Sequence, residues 1–332
     1  MVIIREILSP FFNFQIQPFS SSQARLLAVR RGALGDFILT LPALRALRES
    51  RPGAEIHLLT LAAYGVFAVH FGFADGWRSL DAAPAAALFR EDAALEEEWA
   101  RWLAGFDEII SWLPDRDEVF QRQLAACGAE NFHQAPWLAD GSGPAARQFG
   151  AIPGMPEISA VSHVLLPSGN AESGMEMEAG AGLLALHPGS GSPRKNWPFA
   201  RWIEVMTAIQ KIRPATRWLV VTGEVEQERL PAMRAALDAA GLPWESAHAL
   251  DLISLTERLR PCAALLGHDS GVSHLASACG LPCFLLFGPT DPAIWAPATP
   301  RTRILRAADG DLNTLSTADV IQWLSPELHQ LA

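Results

Sequence analysis

Three short segments of this 332-residue chain set glycine or serine beside ionisable side chains in spacings that could do chemistry. The first, Arg-Arg-Gly-Ala-Leu-Gly-Asp-Phe at 30–37, offers one carboxylate, Asp36, just after Gly32 and Gly35. A carboxylate in an open loop can take a proton from a hydroxyl as that hydroxyl attacks an electrophile. An Asp at a helix start can equally serve as a cap for the free amides there. The spacing is G-x-x-G and lacks the third glycine of a dinucleotide fingerprint, and a carboxylate at the helix start would repel a pyrophosphate.

The second segment, 187–198, reads His-Pro-Gly-Ser-Gly-Ser-Pro-Arg-Lys-Asn-Trp-Pro. Small residues let backbone amides approach an anion, and Arg194 and Lys195 add positive charge beside Ser190, so the segment is suited to phosphate. A surface turn with a solvated basic pair is the plainer reading. The third, 267–274, reads Gly-His-Asp-Ser-Gly-Val-Ser-His. Ser270 and Gly271 stand where a helix would begin, whose free amides and positive dipole end attract a pyrophosphate. Asp269 and His274 could instead be a cap and a core histidine. A further Phe-Gly-Pro-Thr-Asp-Pro at 287–292 is by itself a turn.

All three segments lie between a short apolar run and a helical pattern, which requires strands and helices in alternation. In the first half the pattern predicts strands at 25–30, 55–60 and 108–112 and helices at 36–50, 82–105 and 116–127. In the second it predicts strands at 183–187, 218–222, 263–267 and 283–287 and helices at 199–212, 226–240 and 271–279. The stretch 168–182, SGNAESGMEMEAGAG, has the Gly, Ser and Glu bias of a linker. The expected organisation is an extension of unknown role at 1–24, a first α/β domain at 25–167, the linker at 168–182 and a second α/β domain at 183–332.

Composition narrows the classes further. Hydrophobic residues make up 49% and charged residues 19%, as in folded globular proteins. Lys and Arg number 26 against 36 Asp and Glu, a formal charge of -10 with the cations scattered, so nucleic acid is not an expected partner. The four cysteines form no C-x-x-C pair and sit among apolar neighbours, which fits free thiols in a reducing cytosol. No apolar run reaches the length of a membrane span. The nine histidines are dispersed, and no H-E-x-x-H appears, so no metal site is expected.

Together, G-A-L-G-D-F-I-L-T-L-P-A-L at 32–44, H-P-G-S-G-S-P-R-K-N-W-P from His187 and D-S-G-V-S-H-L-A-S-A-C-G-L-P from Asp269 resemble glycosyltransferase family 9, the family of the lipopolysaccharide heptosyltransferases. The L-F-G-P-T-D-P-A-I-W-A-P that follows looks like the family's nucleotide-side loop. The resemblance implies a GT-B architecture, two Rossmann-like α/β domains facing across a cleft. It also implies inverting, metal-independent transfer from an ADP-linked or similar sugar donor. Asp36 matches the family's proposed catalytic aspartate. Lys195 matches the lysine on the donor phosphate, and Asp269, Ser270, Gly271 and His274 match the second donor-binding loop, with Ser190 in the first. The acidic residue that holds the ribose has two candidates, Glu224 and Glu226.

The implied partners are a nucleotide-sugar donor, which is a substrate and not a cofactor, and a glycan or lipid-linked acceptor. The implied place is the cytoplasm, with peripheral association at the inner membrane. The stretch 74–167 matches no motif residue by residue, so acceptor choice is not legible there. Two rivals stand. A Rossmann oxidoreductase would need the glycine fingerprint that 30–37 lacks, and a noncatalytic sugar-nucleotide-binding protein would have no use for Asp36.

Overall fold

The computed structural model describes residues 24–129, 131–152 and 182–328. The strand Arg25–Val29 (β1) has the sequence RLLAV and buries four of its five residues, the continuous apolar run of a strand covered on both faces. It pairs in parallel with Glu55–Thr60 (β2) on one side, and Gly76–Ser79 (β3) lies beyond β2. On the other side it pairs with Glu108–Ser111 (β4), followed by Phe132–Gln134 (β5). The order is β3-β2-β1-β4-β5.

The second sheet repeats the plan with six strands, Leu183–Leu186 (β6), Arg217–Thr222 (β7), Trp244–His248 (β8), Ala264–His268 (β9), Cys283–Phe287 (β10) and Thr302–Arg306 (β11). Its order is β11-β10-β9-β6-β7-β8, again parallel throughout. Both sheets therefore reverse direction next to their first strand, between β1 and β4 and between β6 and β9. Open α/β sheets bind ligands beyond the carboxyl ends of the strands at such points. The three glycine-bearing segments leave the carboxyl ends of β1, β6 and β9, so topology delivers them to those two crevices.

An apolar cluster runs through both domains, joining Leu41, Leu44 and Phe67 with Leu255, Leu275 and Leu285. A second cluster, around Trp197, Trp202 and Trp218, fills the outer side of the second sheet, and a third, around Leu103 and Phe120, that of the first. The domains touch where the helices Leu34–Ser50 and Gly271–Ala278 begin. A Cβ on Gly271 would stand 2.7 Å from the Leu34 Cβ, and one on Gly35 would stand 3.3 Å from His274 Cδ2. The two glycines let these helix starts meet.

Several expected elements differ in detail. The continuous helix expected over 82–105 is a 3-10 turn at Ala83–Phe89 and a helix at Glu97–Ala104. Between them Gln123 Nε2 donates to the carbonyls of Arg90 (2.6 Å) and Ala93 (3.1 Å), which holds that backbone out of helix. The helix expected at 116–127 begins at Val119, because Asp115 accepts from the amides of Phe120 and Gln121. The one expected at 226–240 begins at Leu230, after a 3-10 turn at Glu224–Glu226. The strands β3, β5, β8 and β11 and the helices Ala62–His70, Leu252–Leu259 and Thr317–Leu328 were not expected from the pattern. The linker at 168–182 and the extension at 1–24 lie, apart from Gly182 and Ala24, outside the described residues.

Candidate functional site

Asp36 is the third residue of the helix Leu34–Ser50, whose N-cap is Ala33. Ala has no side-chain acceptor, and Asp36 reaches back to supply one. Its Oδ2 accepts from the Ala33 amide at 3.3 Å. The capping role is thus present, but weakly and from inside the helix. Its Oδ1 lies 3.9 Å from an Arg30 terminal nitrogen, and a third of the side chain remains open to solvent. Tyr64, the only tyrosine of the chain, donates to the Gly32 carbonyl at 3.2 Å and stacks on Phe37 at 4.4 Å. Burial, with the negative charge of Asp36 adding to it, pushes its phenol up to about 12.

The loop leaving β6 is held at both ends by imidazoles. His187 Nδ1 lies 2.9 Å from the Val221 carbonyl, and His268 Nε2 accepts from the Trp197 amide at 2.9 Å. Burial pushes the His187 ring down and the His268 ring down to about 3, so both are neutral at physiological pH. Ser190 Oγ is buried in the loop, 2.8 Å from the Ser192 carbonyl and 2.6 Å from Asn196 Oδ1. The 3-10 turn Pro193–Lys195 then turns Lys195 towards the loop leaving β9. There its ammonium donates to Asp269 Oδ2 at 2.7 Å, and the Thr290 hydroxyl donates to the same oxygen at 2.8 Å.

Asp269 is therefore the partner of Lys195 and not a helix cap. The cap of the helix Gly271–Ala278 is Ser270, which accepts from the Ser273 amide at 3.2 Å. His274, on the first turn, is buried but faces Gly35 of the other domain. Its pKa is lowered, chiefly by burial with the Lys195 cation adding to it, while the carboxylates of Asp269 and Asp36 oppose the shift. The approach of Gly35 to His274 and of Leu34 to Gly271, with the Lys195–Asp269 ion pair on the same loop as Ser270, gathers Asp36, Lys195, Asp269, Ser270, Gly271 and His274 around one domain contact.

Of the two acidic candidates after β7, Glu224 is exposed. Glu226 is buried, accepts from the Gly223 amide at 2.8 Å and packs its carboxylate against Gly189, where a Cβ would collide with it. Glu226 thus adjoins the Lys195 loop and Glu224 points to solvent. Thr290 and Arg30 were not singled out from the sequence. Thr290 carries a faint signal in the turn after β10, and Arg30 looks like one more scattered cation. Among the described residues no group of three or more His, Cys, Asp or Glu stands together as a metal cage, and no helix is long and apolar enough to cross a membrane.

Known proteins bear on this arrangement. Residues 159–323 match the model of glycosyltransferase family 9 (heptosyltransferase). Over 301 residues the chain is 25% identical to lipopolysaccharide heptosyltransferase 1 of Pseudomonas aeruginosa, covering 81% of this chain and 79% of that protein. Its fold matches a family 9 glycosyl transferase from Veillonella parvula with a TM-score of 0.75, at 17% identity over 95% of this chain and all of the other. It also matches the Escherichia coli ADP-heptose lps heptosyltransferase II with a TM-score of 0.71, at 16% identity over 92% and 99%. These likenesses agree with the GT-B arrangement of two parallel sheets and with the motifs at 32–44, 187–198 and 269–282. The chain is a glycosyltransferase, a heptosyltransferase-like member of family 9.

Proposed function

We propose that this chain transfers a heptose from an ADP-linked donor to a glycan of the lipopolysaccharide core, with inversion at the anomeric carbon and without a metal ion. The observation that carries the reading is the meeting of the helix start that bears Asp36 with His274, beside the Lys195–Asp269 ion pair, across the domain contact. In an inverting transfer the acceptor hydroxyl gives its proton to a base as its oxygen bonds to the anomeric carbon. The bond from that carbon to the diphosphate oxygen breaks at the same time, and the diphosphate leaves with the electron pair. Asp36 stands on the first domain as the base. Lys195 and the amides at the start of the helix Gly271–Ala278 stand opposite, where the leaving group gains charge.

Glu224, the exposed carboxylate of the turn after β7, takes the ribose, since Glu226 is enclosed and already accepts from the Gly223 amide. The names of the relatives supply the sugar and acceptor class, since one is a lipopolysaccharide heptosyltransferase and another an ADP-heptose enzyme. A lipid-linked acceptor places the protein on the cytoplasmic side of the inner membrane, as a peripheral visitor. The test is Asp36→Asn assayed with ADP-heptose and core glycan in excess EDTA. Wild type should keep its full rate in EDTA, and Asp36→Asn should lose ~10²–10⁴ in kcat with ADP affinity unchanged. A wild-type rate in Asp36→Asn would return this residue to capping, and loss of wild-type activity in EDTA that magnesium restores would overturn the metal-free mechanism.

A further inference from the structure

We infer that Arg30 is a positioning residue for Asp36, a buried guanidinium that sets where the carboxylate points. The inference rests on the reading of Asp36 as the base. Arg30 is the first residue after β1 and only 3% exposed, too enclosed to touch a sugar acceptor. One terminal nitrogen donates to the Trp112 carbonyl at 3.2 Å. The other donates to the Asp36 carbonyl at 3.4 Å and lies 3.9 Å from Asp36 Oδ1. Asp36 is its one ion-pair partner among the described residues, and its Nε is buried with no partner among them.

The guanidinium is itself held. It lies 4.5 Å from the centre of the Phe149 ring, and Trp112 Nε1 donates to the Phe149 carbonyl at 2.8 Å. Trp112 and Phe149 thus close a cage around Arg30 from the end of β4 and from the helix Ala145–Phe149. A cation buried with long hydrogen bonds and an unmet donor is a poor packing choice, since an apolar residue would fill the space without the desolvation cost. What the guanidinium does supply is a planar fork, with one nitrogen fixed on the Trp112 carbonyl while the other addresses the carbonyl and the carboxylate of a single residue, a span that an ammonium does not offer. That residue is Asp36. The cage therefore ties the position of the base to the switch point of the first sheet.

The test separates kcat from donor binding in Arg30→Met and Arg30→Lys, with Asp36→Asn alongside. Displacing a catalytic group by about 1 Å costs on the order of 10²-fold. Arg30→Met should lose kcat on that scale while donor KM and ADP affinity stay within about twofold, since the donor loops lie in the other domain. Arg30→Lys should recover about tenfold over Arg30→Met, because charge returns but the fork does not. If Arg30→Met does not fold, Arg30→Lys carries the test through its own loss of kcat at unchanged donor KM. Wild-type kcat in Arg30→Lys and Arg30→Met, or a loss that falls on donor KM and ADP affinity, would overturn the inference. Should Asp36→Asn itself keep its rate, the base reading fails instead, and the two failures are distinguishable.

Discussion

Replacing Lys195 by Ala tests the donor site most directly, because its ammonium is already committed within the free protein. Nζ donates to Asp269 Oδ2 at 2.7 Å, Lys195 is 29% exposed, and Asp269 is 8% exposed. A charge-assisted hydrogen bond to a diphosphate oxygen contributes ~1.5–3 kcal/mol. Lys195 must share its protons between Asp269 and the diphosphate, which puts the expected loss at the low end, ~1.5–2 kcal/mol or roughly ten- to thirtyfold in ADP affinity. AMP has no β-phosphate and should lose less than half as much free energy.

The substitution also leaves Asp269 with Thr290 as its remaining side-chain donor. Breaking a buried ion pair costs ~3–5 kcal/mol, and the partial exposure of Lys195 reduces that to ~1–2 kcal/mol here. Adding Asp269→Asn should return the stability, because Thr290 can donate to the amide oxygen, but should not return the ADP affinity. Titration calorimetry of ADP and AMP with thermal melts of the single and double variants measures both quantities. Equal losses for ADP and AMP, or no loss for either, would refute the placement of the diphosphate at Lys195.

Two further outcomes are read as changes in stability. His268 is held near 3 in the folded protein against about 6.5 when unfolded, so its contribution to stability is complete above pH 6.5 and is lost as pH falls below it. Between pH 6.5 and pH 5 that amounts to about 2 kcal/mol, with His187 adding in the same sense, and urea unfolding of wild type and His268→Gln should show the variant losing less over that interval. Gly271→Ala places a methyl 2.7 Å from the Leu34 Cβ across the domain contact, and should destabilise by ~1–3 kcal/mol. Thermal melts should show Leu34→Ala relieving part of that loss; purely additive effects would mean that the helix starts do not touch in solution.

Short-range pattern made much of this protein legible. The alternation of apolar runs with helical stretches announced two α/β units, and strands covered on both faces must be apolar throughout, as RLLAV in β1 is. Glycines and charges just beyond such runs marked three loops, because a parallel sheet sends every strand-to-helix loop to one edge. Asp36, Lys195 and the segment 269–274 became candidates this way. The short edge strands escaped notice, since three to five residues with one side near solvent carry little periodicity.

What pairs with what was decided by the tertiary structure. Residue types marked Lys195 as a phosphate candidate and the family resemblance added Asp269, but their ion pair joins positions 74 residues apart that only the β6–β9 pairing brings together. Glu224 and Glu226 were equivalent by sequence, and a single 3-10 turn sends one to solvent and the other against Gly189. Arg30 resembled any other surface cation until β4 and the helix Ala145–Phe149 closed over it. The reason is physical. Backbone propensity and apolar periodicity are local and survive in the sequence, whereas the partner of a buried charge is fixed by which strands lie side by side, a choice made by the packing of the whole sheet.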